Sequence, residues 1–365
     1  MSVVPTIDPA NTIKHMRIKT GAFNTIQACL REALDEAGTT ATPSCKHIVG
    51  RSRTGRSFAL QCFESEFPVR REAHGLRKEV IYVQTPSDGT VKGLMSEILC
   101  ALGDPKYNSG TAQNMLARLR LQLDAVGCRL IILDEFQHLV DKGQRRKLGA
   151  TIDWLKLLVE RARFSLVAVG LPDSVTIIDR DEQLRNRFDT TIEIPIYTWF
   201  DKESRRQFRA LLGTIKRHIE PFETVDLVEP DIAQRMMLAA SGRIGLIARI
   251  FDRAIKTAVS NETRTIRLED LDAAYRLAVR NSARCTVEGG PFFAALTDHN
   301  VRTLWAQLSD AADLGDIDAA HCGSLSSASG AAALETKKSA NPTRTTSTRP
   351  KTRKAHDLEM GRALG

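Results

Sequence analysis

Residues 50–57 read Gly-Arg-Ser-Arg-Thr-Gly-Arg-Ser. Two glycines at this spacing let backbone N–H groups curl around phosphate, and a helix opening at Ser57 adds its dipole. The pattern is that of a P-loop, with Arg56 standing where lysine is usual. Gly50, Arg53, Thr54, Gly55, Arg56 and Ser57 are the candidate phosphate-binding residues, Arg53 facing either the phosphates or a neighbouring subunit. Ser57 offers a hydroxyl to Mg²⁺. The planar arginine fork neutralises phosphate but lacks the compact reach of lysine. The exchange therefore predicts bound nucleotide with slow hydrolysis, and whether the chain is an ATPase at all turns on it. A glycine-containing turn without a ligand is the bland alternative.

Context favours the ligand. About 80 residues on, Arg-Leu-Ile-Ile-Leu-Asp-Glu ends a buried apolar strand in two carboxylates, Asp134 and Glu135. Open α/β sheets bind ligands at such strand ends. Asp134 is the candidate Mg²⁺ holder, and Glu135 the group that polarises the attacking water.

The elements that must position these residues follow from periodicity. Strand-sized runs at 45–49, 79–83, 129–133, 165–170 and 191–194 alternate with helical patterns at 22–37, 57–66, 95–102, 111–126 and 152–162. That order predicts a parallel sheet covered by helices on both faces. From 201 to 280 the pattern turns all-helical, with Ile247, Phe251, Ala254, Ile255 and Ala258 marking one amphipathic face. One more short helical segment is expected around 301–308. Beyond about 322, Ser, Ala, Thr, Lys and Arg dominate, which predicts a disordered basic tail. The expected organisation is an N-terminal arm and helix (1–38), an α/β nucleotide-binding domain (39–198), a helical lid (199–282), an extension (283–324) and the tail (325–365).

The 365 residues carry 52 Lys/Arg against 44 Asp/Glu, a net +8, with 42% hydrophobic and 26% charged residues. Those values exclude wholesale disorder. Residues 325–365 hold eight basic and three acidic residues, a net +5, so the rest carries only about +3. A basic excess suggests a polyanionic partner. No apolar run reaches the ~18–20 residues needed to span a bilayer. The N-terminal residues lack a basic flank followed by an apolar core. Seven scattered cysteines without a CxxC argue against a disulfide framework or zinc site, so a reducing cytoplasm is expected.

Taken together, the P-loop, Ile-Ile-Leu-Asp-Glu-Phe-Gln-His-Leu at 131–139, Leu-Val-Ala-Val-Gly-Leu-Pro-Asp-Ser-Val at 166–175 and Asp-Glu-Gln-Leu-Arg-Asn-Arg-Phe-Asp at 181–189 resemble the TniB/TnsC family of AAA+ transposition-regulator ATPases. The resemblance spans about residues 20–280. It implies an ATP- and Mg²⁺-dependent homo-oligomer, ring or filament, on duplex DNA, linking a target-selection protein to a DDE-type transposase. It also implies an arginine acting on the neighbouring subunit's nucleotide. Arg187 holds that place, with Arg185 the nearby alternative; both could instead cap a helix or pair with Asp181 or Glu182. His138 matches a histidine common after the family's Asp-Glu.

Two departures stand out. The family often has a polar γ-phosphate sensor where this chain has Leu171. In the lid segment Ser-Gly-Arg-Ile-Gly-Leu-Ile-Ala-Arg-Ile at 241–250, Gly245 and Leu246 occupy the expected place of a basic sensor, leaving Arg243 and Arg249 as candidates. The loop 85–93 resembles the family's DNA-facing insertion, which makes Thr90, Lys92 and Thr111 candidate DNA contacts. Arg145, Arg146 and Lys147, in the denser basic run 142–147, are further candidates, or a solvated loop. The tail cations Lys337, Lys338, Arg344, Arg349, Lys351, Arg353 and Lys354 could add nonspecific DNA affinity or serve a partner. The competing functions are a hydrolysis-deficient nucleotide-binding adaptor and another P-loop regulator such as a helicase loader.

Overall fold

A computed structural model describes residues 18–39, 43–73, 75–139, 145–160, 162–279, 282 and 285–322. The chain divides into one compact unit, Met1–Ser324, and a second, Leu325–Gly365, which lies outside the described residues with the basic tail.

Five parallel strands form the central sheet: β1 (Cys45–Gly50), β4 (Val80–Gln84), β5 (Leu130–Asp134), β6 (Ser165–Gly170) and β7 (Ile192–Ile194). Their order is β4-β5-β6-β1-β7, so β6 lies between the P-loop strand and the strand ending in Asp134. Side chains alternate between the faces. Leu130 and Ile132 pack with Ile26, Leu30, Leu60 and Phe63 of α1 (Gly21–Thr39) and α2 (Arg56–Ser65). Ile131 and Leu133 pack on the other side with residues of α3 (Val91–Ala101), α4 (Ala112–Ala125) and α5 (Arg145–Val159). Each fully buried aliphatic contributes roughly 1.5–3 kcal/mol. Burial on both faces explains why β5 and β6 read as nearly continuous apolar runs, whereas β1 carries the buried Lys46 and His47.

The sheet order brings the ends of β1, β5 and β6 side by side at one edge. The parallel arrangement and its helices are as the periodicity predicted. The sequence reading missed the exposed antiparallel hairpin of β2 (Arg70–Glu72) and β3 (Gly75–Arg77).

Between β6 and β7 the chain forms α6 (Val175–Asp179) and α7 (Glu182–Arg185). The lid comprises α8 (Lys202–His218), α9 (Pro230–Ala239), α10 (Ile244–Ser260) and α11 (Leu268–Ala278) around their own core. It is helical except for a two-residue parallel pairing of β8 (Glu223–Thr224) with β9 (Thr265–Ile266). A short helix α12 (Gly290–Phe293) and a long α13 (Asp298–Cys322) complete the unit. α13 far exceeds the expected segment at 301–308; Val301, Leu304 and Leu308 anchor it on the lid core. Among the described residues no helix is long and apolar enough to cross a membrane.

Candidate functional site

The P-loop leaves β1 at Gly50 and turns through two left-handed residues, Arg53 at φ 64° and Gly55 at φ 90°. Gly55 caps α2 in a conformation where a β-carbon is strained. Thr54 is buried and its hydroxyl donates to the Arg51 carbonyl at 2.9 Å. The loop thus turns its backbone inward ahead of the uncapped N–H groups of α2. Ser57, in the first turn, donates to Asp134 Oδ2 at 2.8 Å. The serine and the carboxylate are two hard oxygen donors at one point, a set that suits Mg²⁺.

Glu135 follows with φ 54°, a left-handed conformation uncommon for a side-chain-bearing residue. Its N–H donates to Asp134 Oδ1 at 2.9 Å, and its Oε2 accepts from Gln137 Nε2. Arg56 is buried, and its guanidinium donates to the carbonyl of Gly170 at the end of β6. Leu171 presents its backbone N–H to Gln137 Oε1 at 2.9 Å. The sequence reading considered only the Leu171 side chain, which has no hydrogen-bonding group.

The lid closes one side of the loop. Gly245 N–H donates to the Arg53 carbonyl at 2.9 Å, and a β-carbon on Gly245 would stand 2.9 Å from that of Arg53. No longer side chain fits at Gly245 without displacing the loop, so a basic sensor there is excluded sterically. Arg243, a candidate for the nucleotide, has no exposed surface and occupies the N-cap position of α10 without a side-chain cap. Arg249, on the same helix, lies within electrostatic reach of Arg53 in the loop. Burial and repulsion from Arg53 and Arg253 push its pKa below the ordinary guanidinium value. Arg53 and Arg253 both repel Arg249, and cations gathered at a P-loop fit a polyphosphate ligand.

Arg187 stands at the other end of β1. Its carbonyl accepts from Cys45 N–H at 3.0 Å, and Phe188 bridges to Cys45, the first residue of the strand. Gly50 lies five residues further, roughly 16 Å along the strand. Arg187 cannot reach its own P-loop. Its guanidinium donates to the Val159 carbonyl and lines an open groove of about 610 Å³ with Asp153, Lys156, Glu160 and Gln183. Arg185 ends α7, and Asp181 caps that helix through the Leu184 N–H at 3.0 Å while pairing with Lys156 at 3.1 Å. The pairing of Asp181 with an arginine, one of the alternatives, does not occur among the described contacts.

Residues 11–198 match the family model described as bacterial TniB protein. This chain belongs to the TniB family. Solved structures of similar fold include the Aeropyrum pernix ORC2 protein in ADPNP–ADP complexes (16% identity, TM-score 0.53, covering 73% of this chain and 71% of that one). The Aeropyrum pernix ORC1 protein in complex with DNA aligns at 18% identity and TM-score 0.53, over 75% of this chain and 70% of that one. Cdc6p from Pyrobaculum aerophilum gives 17% and 0.53, over 73% and 71%. These likenesses establish the AAA+ P-loop fold. No curated protein matches the chain.

Within this TniB-family chain, the candidate DNA contacts occupy helix starts. Thr90 caps α3, accepting from Gly93 N–H at 3.0 Å, and donates to Asp88 Oδ2 at 3.0 Å. Lys92 is exposed in the first turn of α3, not in the loop where the sequence reading put it. Thr111 caps α4 through Asn114 N–H at 3.3 Å. Arg145, Arg146 and Lys147 open α5 instead of lying in a loop, and their side chains, with residues 142–144, lie outside the described residues. Three cations and no acid in a helix's first turn oppose its dipole, an arrangement a nearby phosphate would relieve.

Three residues at the site carried no sequence signal. Tyr82 on β4 donates to Asp134 Oδ2 at 3.0 Å, sharing that oxygen with Ser57. Gln137 is described above. His47 on β1 joins Thr191 Oγ1 and Ser174 Oγ, each at 3.1 Å, and packs edge-on to Phe136 and Phe188. It therefore ties the start of the Arg187 segment to the residues after β6. His138, by contrast, bonds the Thr85 carbonyl at 3.0 Å and braces the loop 85–90.

Burial pushes the His47 pKa down to about 4 from 6.5. The unfolded chain therefore takes up a proton below pH 6.5 that the folded chain refuses until about pH 4. This contribution to stability is whole above pH 6.5 and falls away between there and pH 4, by ~3 kcal/mol at most. Urea unfolding at pH 7 and pH 5 checks it. His47→Gln is expected to lose about 2 kcal/mol less than the natural chain across that interval. An identical loss in both would show that His47 does not titrate this way.

Proposed function

We propose that this chain is an ATP-dependent DNA-binding transposition regulator that oligomerises on duplex DNA and links target selection to a DDE-type transposase. The meeting of Ser57 with Asp134 at 2.8 Å, at the foot of the P-loop helix, carries the reading. Membership of the TniB family supports the transposition context. In this reading the P-loop N–H groups, Arg53 and Arg56 bind the phosphates, and Ser57 and Asp134 hold Mg²⁺. The ion supplies charge neutralisation at the phosphate oxygens. Glu135 orients and polarises the attacking water. The reach from Arg187 to its own P-loop is too long, which supports its action on a neighbour and hence an oligomeric site. Residues 39–198 serve as the nucleotide domain, 199–282 as the lid, and the whole works in the cytoplasm with its DNA.

Thr90, Lys92 and Thr111, together with the first turn of α5, would meet the DNA backbone. Helix starts and lysines bind phosphate without reading bases, so target choice falls to a partner. Turnover is slow in this reading, because the Arg56 guanidinium must leave the Gly170 carbonyl to reach the phosphates and lacks the compact reach of lysine there. That contact also favours a second reading, a static nucleotide-binding adaptor. Zero turnover with retained ATP-dependent assembly would select it.

Duplex-DNA binding with ATP, ADP or no nucleotide, across a salt titration, tests the proposal. Tight binding only with ATP is expected, with log Kd rising by about 0.9 per phosphate contact for each tenfold rise in salt. Binding indifferent to nucleotide would overturn it and leave a basic adaptor.

A further inference from the structure

Arg56 and Leu171 both depart from the family pattern, and they meet at one peptide group. The carbonyl of Gly170 accepts from the Arg56 guanidinium. The N–H of the same peptide, contributed by Leu171, donates to Gln137 Oε1 at 2.9 Å. The other end of that amide, Nε2, donates to Glu135 Oε2. Two amides thus stand head to tail between a cation and an anion. Each accepts on the side of Arg56 and donates on the side of Glu135. Chains of this polarity strengthen cooperatively in a low-dielectric site.

The surroundings are built for it. A β-carbon on Gly170 would stand 3.0 Å from Gln137 Oε1 and 2.8 Å from Ser174 Oγ, so glycine leaves the amide its place. Glu135 sits at φ 54°, a backbone state costing about 1 kcal/mol or more that its contacts with Gln137 and Asp134 sustain. Arginine, with its extended fork, spans from α2 to β6.

We propose that Arg56, the Gly170–Leu171 peptide, Gln137 and Glu135 form one hydrogen-bonded relay that holds Glu135 until nucleotide phosphate draws Arg56 away. Gln137 is its positioning residue. The proposal rests on the nucleotide-binding reading above. Phosphate competes with the Gly170 carbonyl for the guanidinium. Losing that donor depolarises the peptide, weakens its N–H as a donor to Gln137, and loosens the grip of Gln137 on Glu135. Leu171 then needs no polar side chain, because its backbone N–H reports phosphate binding through Arg56.

Amide-resolved hydrogen exchange at Leu171 in the full chain tests this, with AMP-PNP and Mg²⁺ as the probe and AMP-PNP binding measured by calorimetry on the same samples. In the natural chain AMP-PNP is expected to speed Leu171 exchange about five-fold, the worth of one hydrogen bond. Gln137→Met, similar in length but unable to bond, is expected to show the faster rate without nucleotide and no further change with it. Gln137→Glu still accepts from Leu171 but cannot donate to Glu135. It is expected to keep the amide slow without nucleotide while raising DNA-independent kcat several-fold at constant KM. A chain that binds no AMP-PNP overturns the nucleotide reading itself. Binding of AMP-PNP with Leu171 exchange unchanged, and Gln137→Met matching the natural chain, overturns the relay alone.

Discussion

Arg187→Ala is expected to cut ATP turnover by about 10³-fold, the lower end of what an arginine supplied to a phosphoryl-transfer site contributes. ATP affinity of the isolated chain stays as it was. The argument is one of distance. Arg187 is hydrogen-bonded to the first residue of β1, whereas the P-loop begins at the last. A strand that rises about 3.3 Å per residue puts the two at opposite edges of the sheet. The arginine therefore serves another copy's nucleotide or none. In its own chain it spans to the Val159 carbonyl and lines an open groove, so its replacement removes one surface contact and leaves the core intact.

Mixing separates these cases. Glu135→Gln subunits lack the group proposed to polarise water but carry Arg187; Arg187→Ala subunits have the reverse defect. In a head-to-tail assembly of equal parts, about one junction in four pairs an intact Glu135 with an intact neighbouring Arg187. The mixture then recovers about a quarter of the natural turnover from two inactive parents. A mixture as inactive as its parents would show that Arg187 does not act in trans. Arg185→Ala, in the same assay, discriminates the alternative residue.

The sequence made the sheet and the two motifs legible for a physical reason. Strands buried on both faces are mostly apolar, as at 130–133 and 166–169, and a phosphate loop must open a helix. Both requirements leave local marks, and Ser57 and Asp134 meet as those marks imply. The strand order left no such mark. It is set by which faces pack, and it is this order that brings the end of β6 to Arg56. The roles of Tyr82, Gln137 and His47 depend on groups 52, 34 and 127 residues away in the chain, so nothing near them signals it. Of the two lid candidates, Arg243 is fully buried next to Gly242, while Arg249 on the following helix lies within electrostatic reach of Arg53, a difference in burial that local spacing does not reveal. Helix starts leave a weak mark here: neither α3 nor α5 opens with an acid, so Lys92 and Arg145–Lys147 carry the local pattern of loop residues.

The corner at Gly242 carries the largest structural effect. Gly242→Ala is expected to destabilise the chain by at least about 3 kcal/mol, well above an ordinary surface substitution. Gly242 sits at φ +67°, and a β-carbon there would lie 1.8 Å from the Tyr197 carbonyl oxygen. The obstacle is backbone, so no rotamer change relieves it. The same segment is pinned from both sides: Gly242 N–H donates to Met237 at 3.0 Å, closing α9, and its carbonyl accepts from Tyr197 N–H at 3.0 Å. Moving the corner redirects α10, whose first turn gives the Gly245 N–H to Arg53 of the P-loop. Stability and nucleotide binding therefore fall together in Gly242→Ala. Gly245→Ala separates them, because its β-carbon meets Arg53 alone, at 2.9 Å from the side chain and 3.0 Å from the carbonyl. It is expected to weaken ATP binding about ten-fold, the equivalent of one lost loop hydrogen bond with its strain, at nearly natural stability. Urea unfolding and ATP titration of the two variants check this. Gly242→Ala within 1 kcal/mol of the natural chain would mean that the Tyr197 contact yields, and that the lid, rather than this corner, sets the position of α10.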